Sequence, residues 1–488
     1  MYKQLLTLIL FFFSLNTTQS QTSNFRVQDS LNLHFYEKGD WNAVLKSGNE
    51  LLESGNDYYY LRLRMGIAAY QKQQFLLARK HLNQAISFNE NDQLALSYLY
   101  GTYLETNQLY TGVKAISKRT EIIPADFGIK KGLKIKSIHA DYGQQQYTHS
   151  PALNFATLAS SQALFGESRE YQNHQFYDAG IRLQLNSSGE LYLGLQSLDI
   201  NVSDQFAYVE NSIARDSVAM FDWGEAYYYR SDSSRKRAEF DNQIKQFSFY
   251  ARLEQAISEK VTLIGAFHLL QLDQTQTLAE NQVFTFSDTA YYLYNGTETE
   301  LFESTGSRYQ FTDISFKSTE WSGFLGIDLQ TAIGVSSFGV SLSRFNKSQY
   351  FQANAGLRYY PLGNLKLYGS TTFYLVNGSE DPHLIATQQI GFQPIKNIWV
   401  ETSFSQGNHS YLSKDNGYLV FNTTYQTKTR IEATLFAKIA KNGLLRFGYV
   451  YQKGAHPFQN YNTENGNMTE SYHDFQTHSI VGGIQWTF

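Results

Sequence analysis

Two spacings of apolar residues divide the chain. From about Phe25 to Pro124 the apolar positions recur with the period of a helix, in a motif of about 34 residues. The clearest copy runs Leu63-Arg64-Met65-Gly66, Ala69-Tyr70, Phe75, Ala78, Leu82 and Ala85. A second aligns on Tyr100-Gly101, Leu104, Tyr110, Val113 and Pro124, and a partial earlier one on Trp41, Val44 and Leu51. Small residues at Gly66, Ala78, Ala85 and Gly101 predict helices that approach closely, as stacked helical repeats require. The helical region is expected to cover residues 21–130.

After Ile135 the period becomes two and stays two to the end. Phe351, Ala353, Ala355, Leu357 and Tyr359 share one face of their segment, while Gln352, Asn354, Gly356 and Arg358 share the other. Further copies lie at Tyr177–Leu185, Phe247–Leu253, Leu365–Leu375, Ile398–Phe404, Ile431–Ile439 and Leu445–Tyr451. Repetition on this scale predicts an all-β transmembrane antiparallel barrel over residues 131–488, with about sixteen strands, one face to lipid and one to water. Short polar connections at 186–189, 258–260, 361–364 and 441–443 read as tight turns, whereas long Tyr-rich stretches at 202–244, 273–319 and 454–476 read as loops. If the first and last of those loops face the same side, the strand count between them is odd by one somewhere. The stretch 408–430 is where such a mis-split is expected.

The ends of the chain add direction. Lys3 precedes an apolar run from Leu5 to Leu15 and the small-residue pattern Thr18-Gln19-Ser20, which reads as a secretory signal peptide over residues 1–20. At the other end Ile484, Trp486 and Phe488 share a face, and a terminal Phe preceded by alternating apolar residues resembles the sorting signal of outer-membrane barrels. That resemblance implies recognition by the barrel-assembly machinery. Signal peptide, short tetratricopeptide-like repeats and C-terminal barrel together resemble the outer-membrane subunits of exopolysaccharide export systems and the YaiO-type barrel family. The resemblance is one of layout over the whole mature chain. It implies a Gram-negative cell outer membrane, a periplasmic helical domain with a protein or polymer partner, and a route for a hydrophilic solute or polysaccharide.

Composition narrows the chemistry. Aromatic residues make up 16% of the chain, with 36 Tyr and 35 Phe, as girdles and a lipid-facing band require. A net charge of -4 with mixed signs excludes a nucleic-acid footprint, and with no Cys there is neither a disulfide framework nor a paired-thiol metal site. His473, Asp474 and His478 are close in sequence but read as solvated residues, and no strand Ser is paired by motif with a His such as His268. No catalytic residue, metal or cofactor is therefore expected, and an outer-membrane hydrolase is the least supported alternative. The candidates that remain are charges opposite the apolar face: Arg182, Arg252, Glu254, Asp328, Arg344, Arg358, Lys366, Glu401, Glu432, Lys438 and Arg446. They would line a polar lumen, or form ion-pair networks in a plugged barrel that anchors the repeats and displays loops.

Overall fold

The computed structural model describes residues 24–117, 132–149, 165–221, 224–293, 297–378, 381–422, 425–462 and 467–488. Within these spans it gives the backbone alone at 148–149, 214–221, 224–231, 288–293, 297–303, 456–462, 467–471 and 473. The expected signal peptide and Pro124 lie outside the described residues.

Six helices come first: α1 (24–38), α2 (Trp41–Glu53), α3 (Tyr59–Gln71), α4 (Phe75–Phe88), α5 (Gln93–Leu104) and α6 (Leu109–Ser117). Asp40 and Asp92 start α2 and α5 by accepting from the amides of Ala43 and Leu94, which satisfies donors that a helix start leaves open. The small residues act as their spacing predicts. A Cβ on Gly66 would lie 2.7 Å from Leu82 Cγ, and one on Gly101 2.8 Å from the Tyr70 hydroxyl, so α3 can meet α4 and α5 only through glycine. Ala78 and Ala85 are fully buried in the same core, with Leu82, Leu99 and Ile116. Buried Arg79 lies over the Tyr103 ring at 3.7 Å and donates to Thr106 and Gln108 at 2.8 and 2.9 Å. It thereby ties α4 to the α5–α6 turn.

The strands are β1 (Lys134–His149), β2 (Phe165–Asn186), β3 (Gly189–Phe221), β4 (Gly224–Ala256), β5 (Val261–Leu293), β6 (Thr297–Gln330), β7 (Gly334–Phe345), β8 (Ser348–Tyr359), β9 (Leu367–Asn377), β10 (His383–Ile395), β11 (Ile398–Gln406), β12 (Ser413–Lys414), β13 (Leu419–Val420), β14 (Gln426–Lys438), β15 (Gly443–Asn462) and β16 (Asn467–Thr487). Fourteen of them close an antiparallel barrel, β1 pairing with both β2 and β16, while β12 and β13 pair only with each other. The barrel thus has fourteen strands rather than about sixteen. Among its described residues the stretch 408–430 holds no barrel strand before Gln426, because the chain there turns inward instead of crossing.

All four tight turns fall at one end of the barrel, the end where α6 leads into β1 and where Phe488 lies. The described parts of the long stretches expected as loops are strands. β3 to β6, each of 33 or 34 residues, rise as two paired hairpins well beyond β7 to β11, which have 9 to 13. The shorter set matches the roughly 9–11 residues a tilted strand needs to cross a bilayer's hydrocarbon. Past that height β3 pairs with β6 at Asn211 and Ser307 and β2 with β15 at Phe165 and Tyr461, around a cluster of Phe165, Phe206 and Tyr208.

The outer face is apolar and open. Leu325, Val340, Leu342, Phe351 and Phe373 are all exposed, on neighbouring strands in register, as is Phe447 on β15. They belong to a contiguous belt larger than the isolated patches water-soluble surfaces carry. No helix among the described residues is long and apolar enough to cross a membrane.

Candidate functional site

The inside of the barrel is occupied by the segment joining β11 to β14. Gly407, at φ +129, turns the chain off the wall. His409 then fixes the root: Ser405 lies 2.7 Å from its Nε2, and Nδ1 lies 2.8 Å from the Thr427 carbonyl oxygen. The β12–β13 hairpin follows, reversed by Asp415, Asn416 and Gly417 at φ 55, 59 and 82, the left-handed region that Asn, Asp and Gly tolerate best.

Seven wall strands hold this hairpin. The Tyr418 hydroxyl donates to Asp178 on β2 at 2.7 Å, and that of Tyr250 on β4 donates to the Asn416 carbonyl at 3.0 Å. His268 on β5 lies 2.8 Å from the Gly417 carbonyl, Ser322 on β6 2.8 Å from Ser413 Oγ, and His383 on β10 3.2 Å from the Ser410 carbonyl. Gln352 on β8 makes two bonds to the backbone of Ser413, at 2.7 and 3.0 Å. Lys414 donates to Glu432 on β14 at 2.9 Å. On the side away from the turn, Tyr411, Leu412 and Phe421 pack on Phe345, Tyr350 and Val376, with Tyr411 stacked on Tyr350 at 4.2 Å. The segment is therefore a plug with both apolar and polar attachments to the inner wall.

The other closure comes from the helices. At the short-turn end the Tyr110 hydroxyl donates to Glu190 at 3.0 Å, and Lys136 reaches both at 3.1 Å. Burial, and then the neighbouring Glu190 carboxylate, push the Tyr110 hydroxyl above its ordinary value, so it stays a donor. The Phe75 backbone amide donates to the Gly363 carbonyl and the Asn364 side-chain amide to the Gln73 carbonyl, which pins α4's start to the β8–β9 turn. Between the tip of the plug and residues 107–111 lies a cavity of about 590 Å³, lined by Arg182, Glu190, Arg252, Glu254, Asp328 and Arg358 among others. A second space of about 330 Å³ shares Arg252, Asp328 and Arg358 with it and extends to Lys414 and Glu432.

Of the charges singled out in the sequence, Arg182, Arg252, Glu254, Asp328 and Arg358 thus line the first space, and Glu432 joins Arg252, Asp328 and Arg358 in the second. Arg182 pairs with Glu190 at 2.9 Å, Arg252 with Glu254 at 3.6 Å, and Glu432 with Arg430 as well as Lys414. Glu401 is on the inner wall, bonded by Tyr368 and Gln389, and Arg446 pairs with Asp141 across β16. Lys438 ends β14 exposed at the rim. Two placements differ from expectation. Arg344 is exposed beside Leu342, because Ser341, Ser343 and Phe345 take the inward positions; it sits one residue from the end of β7, where its long side chain can reach water past the apolar belt. Lys366 lies in the turn before β9 rather than on the wall.

Ile484, Trp486 and Phe488 are exposed on the outer face at the short-turn end. Asp474 is exposed, His478 bonds Tyr449, and the side chain of His473 is outside the described set. The plug and its partners Asp178, Tyr250, Ser322 and Gln352 had no sequence signal, since each contact joins residues 61 to 240 apart. A Ser–His pair does exist, Ser405 with His409, but both residues are fully buried and no carboxylate is among the partners of the His409 ring, so it reads as the root of the plug.

No family model matches the chain, and no curated protein is similar to it in sequence. Among solved structures it is similar to a Pseudomonas aeruginosa FadL homologue, at 7% identity over 72% of this chain and 90% of that one, with a TM-score of 0.39. It is also similar to the Pseudomonas putida toluene transporter TodX, at 6% identity over 72% and 89% with a TM-score of 0.36, and to the outer membrane protease OmpT from Escherichia coli, at 8% over 73% and 95% with a TM-score of 0.19. These likenesses are too remote to bear on substrate or mechanism.

Proposed function

We propose that the chain is an outer-membrane transport barrel, closed at rest by its own segment 407–422 and by α6, which passes a small polar solute when the plug moves. The observation that carries this reading is the charged chamber between two closures, each built from hydrogen bonds and ion pairs that can be exchanged for water or solute. A barrel serving only as an anchor has no need of a polar space there. The exposed apolar belt supports a lipid setting, and strands that cross with all backbone groups paired are one of the two structures a bilayer accepts. Short turns, helices and Phe488 at one end support a periplasmic orientation of that end, consistent with the predicted signal peptide and assembly signal. The stacked helical hairpins are the kind of module that offers a surface to a periplasmic protein or polymer. A polysaccharide would require both closures to withdraw fully, so a small solute fits the chamber better.

The second reading, a non-conducting anchor for the helices, draws on the number of bonds that hold the plug. Planar-bilayer recordings separate the two. Replacing residues 408–427 by Asn-Gly joins Gly407 to Lys428 as a two-residue hairpin. The reading predicts brief openings in the full chain and at least about tenfold higher mean conductance in the variant. A folded, heat-modifiable variant that remains silent would select the anchor.

A further inference from the structure

Outside the chamber, one cluster of metal-type ligands lies on the inner wall. His139 and Asp141 alternate on β1, and Asp178 on β2 stands directly opposite Asp141 in the register. One donor atom from each lies within 4.8 Å of the others, His139 Nε2 being 2.8 Å from Asp178 Oδ2 and 3.9 Å from Asp141 Oδ2. Glycines make the room. A Cβ on Gly180 would be 2.5 Å from the His139 ring, and one on Gly483 would fall 1.5 Å from Asp141 Oδ1. Two carboxylates directly opposed across a strand pair repel each other unless something positive lies between them. Arg446 supplies one positive charge to Asp141, but with a neutral imidazole one negative charge is left over. Asp178 Oδ1, on a side chain 1% exposed, has no hydrogen-bond partner at all, an arrangement that costs free energy unless a cation or donor sits against it.

We infer that His139, Asp141 and Asp178 form a divalent-cation site of the zinc class, with the plug residue Tyr418 at its edge. One imidazole and two carboxylates are a borderline donor set that suits zinc and its neighbours better than calcium or magnesium. Donors around a tetrahedral zinc lie roughly 3.4 Å apart, given bonds of about 2.1 Å, so shifts of well under 1 Å bring these three into place. The imidazole binds through the Nε2 lone pair with its proton on Nδ1, and Arg446 remains bonded to Asp141 as an outer partner that fixes the carboxylate. Because Tyr418 donates to Asp178, the ion would sit against the tip of the plug. The site depends on the wall alone and stands whether or not the barrel conducts.

The test is equilibrium zinc binding by the refolded, chelator-treated full chain in detergent micelles, measured against a chromophoric chelator. One equivalent is expected, with affinity reduced at least about tenfold in His139→Ala and in Asp178→Asn and by less in Tyr418→Phe. Heat-modifiable mobility checks that each variant folds. No stoichiometric site, or undiminished binding by folded His139→Ala, would overturn the assignment. Should His139→Ala not fold, zinc-edge absorption on the wild type decides: one imidazole with oxygen ligands supports the site, and an all-oxygen or multi-histidine shell rejects it.

Discussion

The helical region and the barrel solve the same problem in opposite directions. In the helices, Leu82 is fully buried and Leu94, on the outer side of α5, is 48% exposed. In the barrel, Leu325 is 68% exposed, while Asp178, Glu190, Ser322 and Gln352 are buried. The helices place a dry core inside and water outside; the barrel places its apolar side chains outside and its polar network within. An exposed leucine therefore means nothing until the medium facing it is known. In the helices it is an incidental surface residue, and in the barrel it is part of the contact with lipid.

Matched substitutions at exposed leucines should break that symmetry most visibly. Leu325→Arg, near the middle of the part of β6 that pairs with β7, is expected to cost about 2–4 kcal/mol of barrel stability in lipid, whereas Leu94→Arg should change helical stability by less than about 0.5 kcal/mol. Urea unfolding followed by tryptophan fluorescence in vesicles and by helix ellipticity reads the two separately. Equal small effects would mean that the belt does not face hydrocarbon.

A pH titration sharpens the helical side. Burial, and then the Arg62 guanidinium 3.0 Å from Nδ1, hold the His81 imidazole down at about 4. Its folded value lies below its unfolded one, so the unfolded chain takes up the proton first as pH falls. The helices should lose stability between about pH 6.5 and pH 4, by up to about 3 kcal/mol, with no further loss from this group below that. Thermal melts monitored at the helix band check this, and His81→Gln should remove most of the slope.

Glycine gives the smallest contrast. Gly66→Ala places a Cβ against Leu82 and is expected to cost about 1–3 kcal/mol. A Cβ on Gly482 of β16 would meet nothing within 4 Å, and Gly482→Ala should leave barrel stability unchanged within about 0.5 kcal/mol. Urea unfolding read by helix ellipticity for the first and by tryptophan fluorescence for the second distinguishes them.

The two regions also differ in how much of them can be read from sequence. Gly66, Ala78 and Gly101 could be placed because helix contacts repeat at fixed spacing. The alternation in β8, β9, β11 and β14 was legible because lipid on one side and a wet interior on the other impose it. Beyond the belt that contrast ends: in the upper strands Val202 to Tyr208 are buried on both faces and Asp232 to Arg237 exposed on both, so neither stretch alternates and both look like loops. Arg344 shows the limit of assigning a face by charge, since near the rim an arginine can stand on the lipid side. The plug was out of reach: it is short, it relies on left-handed turn residues that many loops share, and its partners are distant in sequence.

Whether segment 407–422 is a moving closure can be asked of a chain that has no cysteine of its own. Ser322 and Ser413 place their hydroxyl oxygens 2.8 Å apart across the wall and the plug, so Ser322→Cys with Ser413→Cys can be bridged by oxidation. Single-channel recording of this double variant should give a silent barrel when oxidised and openings restored on adding reductant. The same conductance in both states would contradict the account.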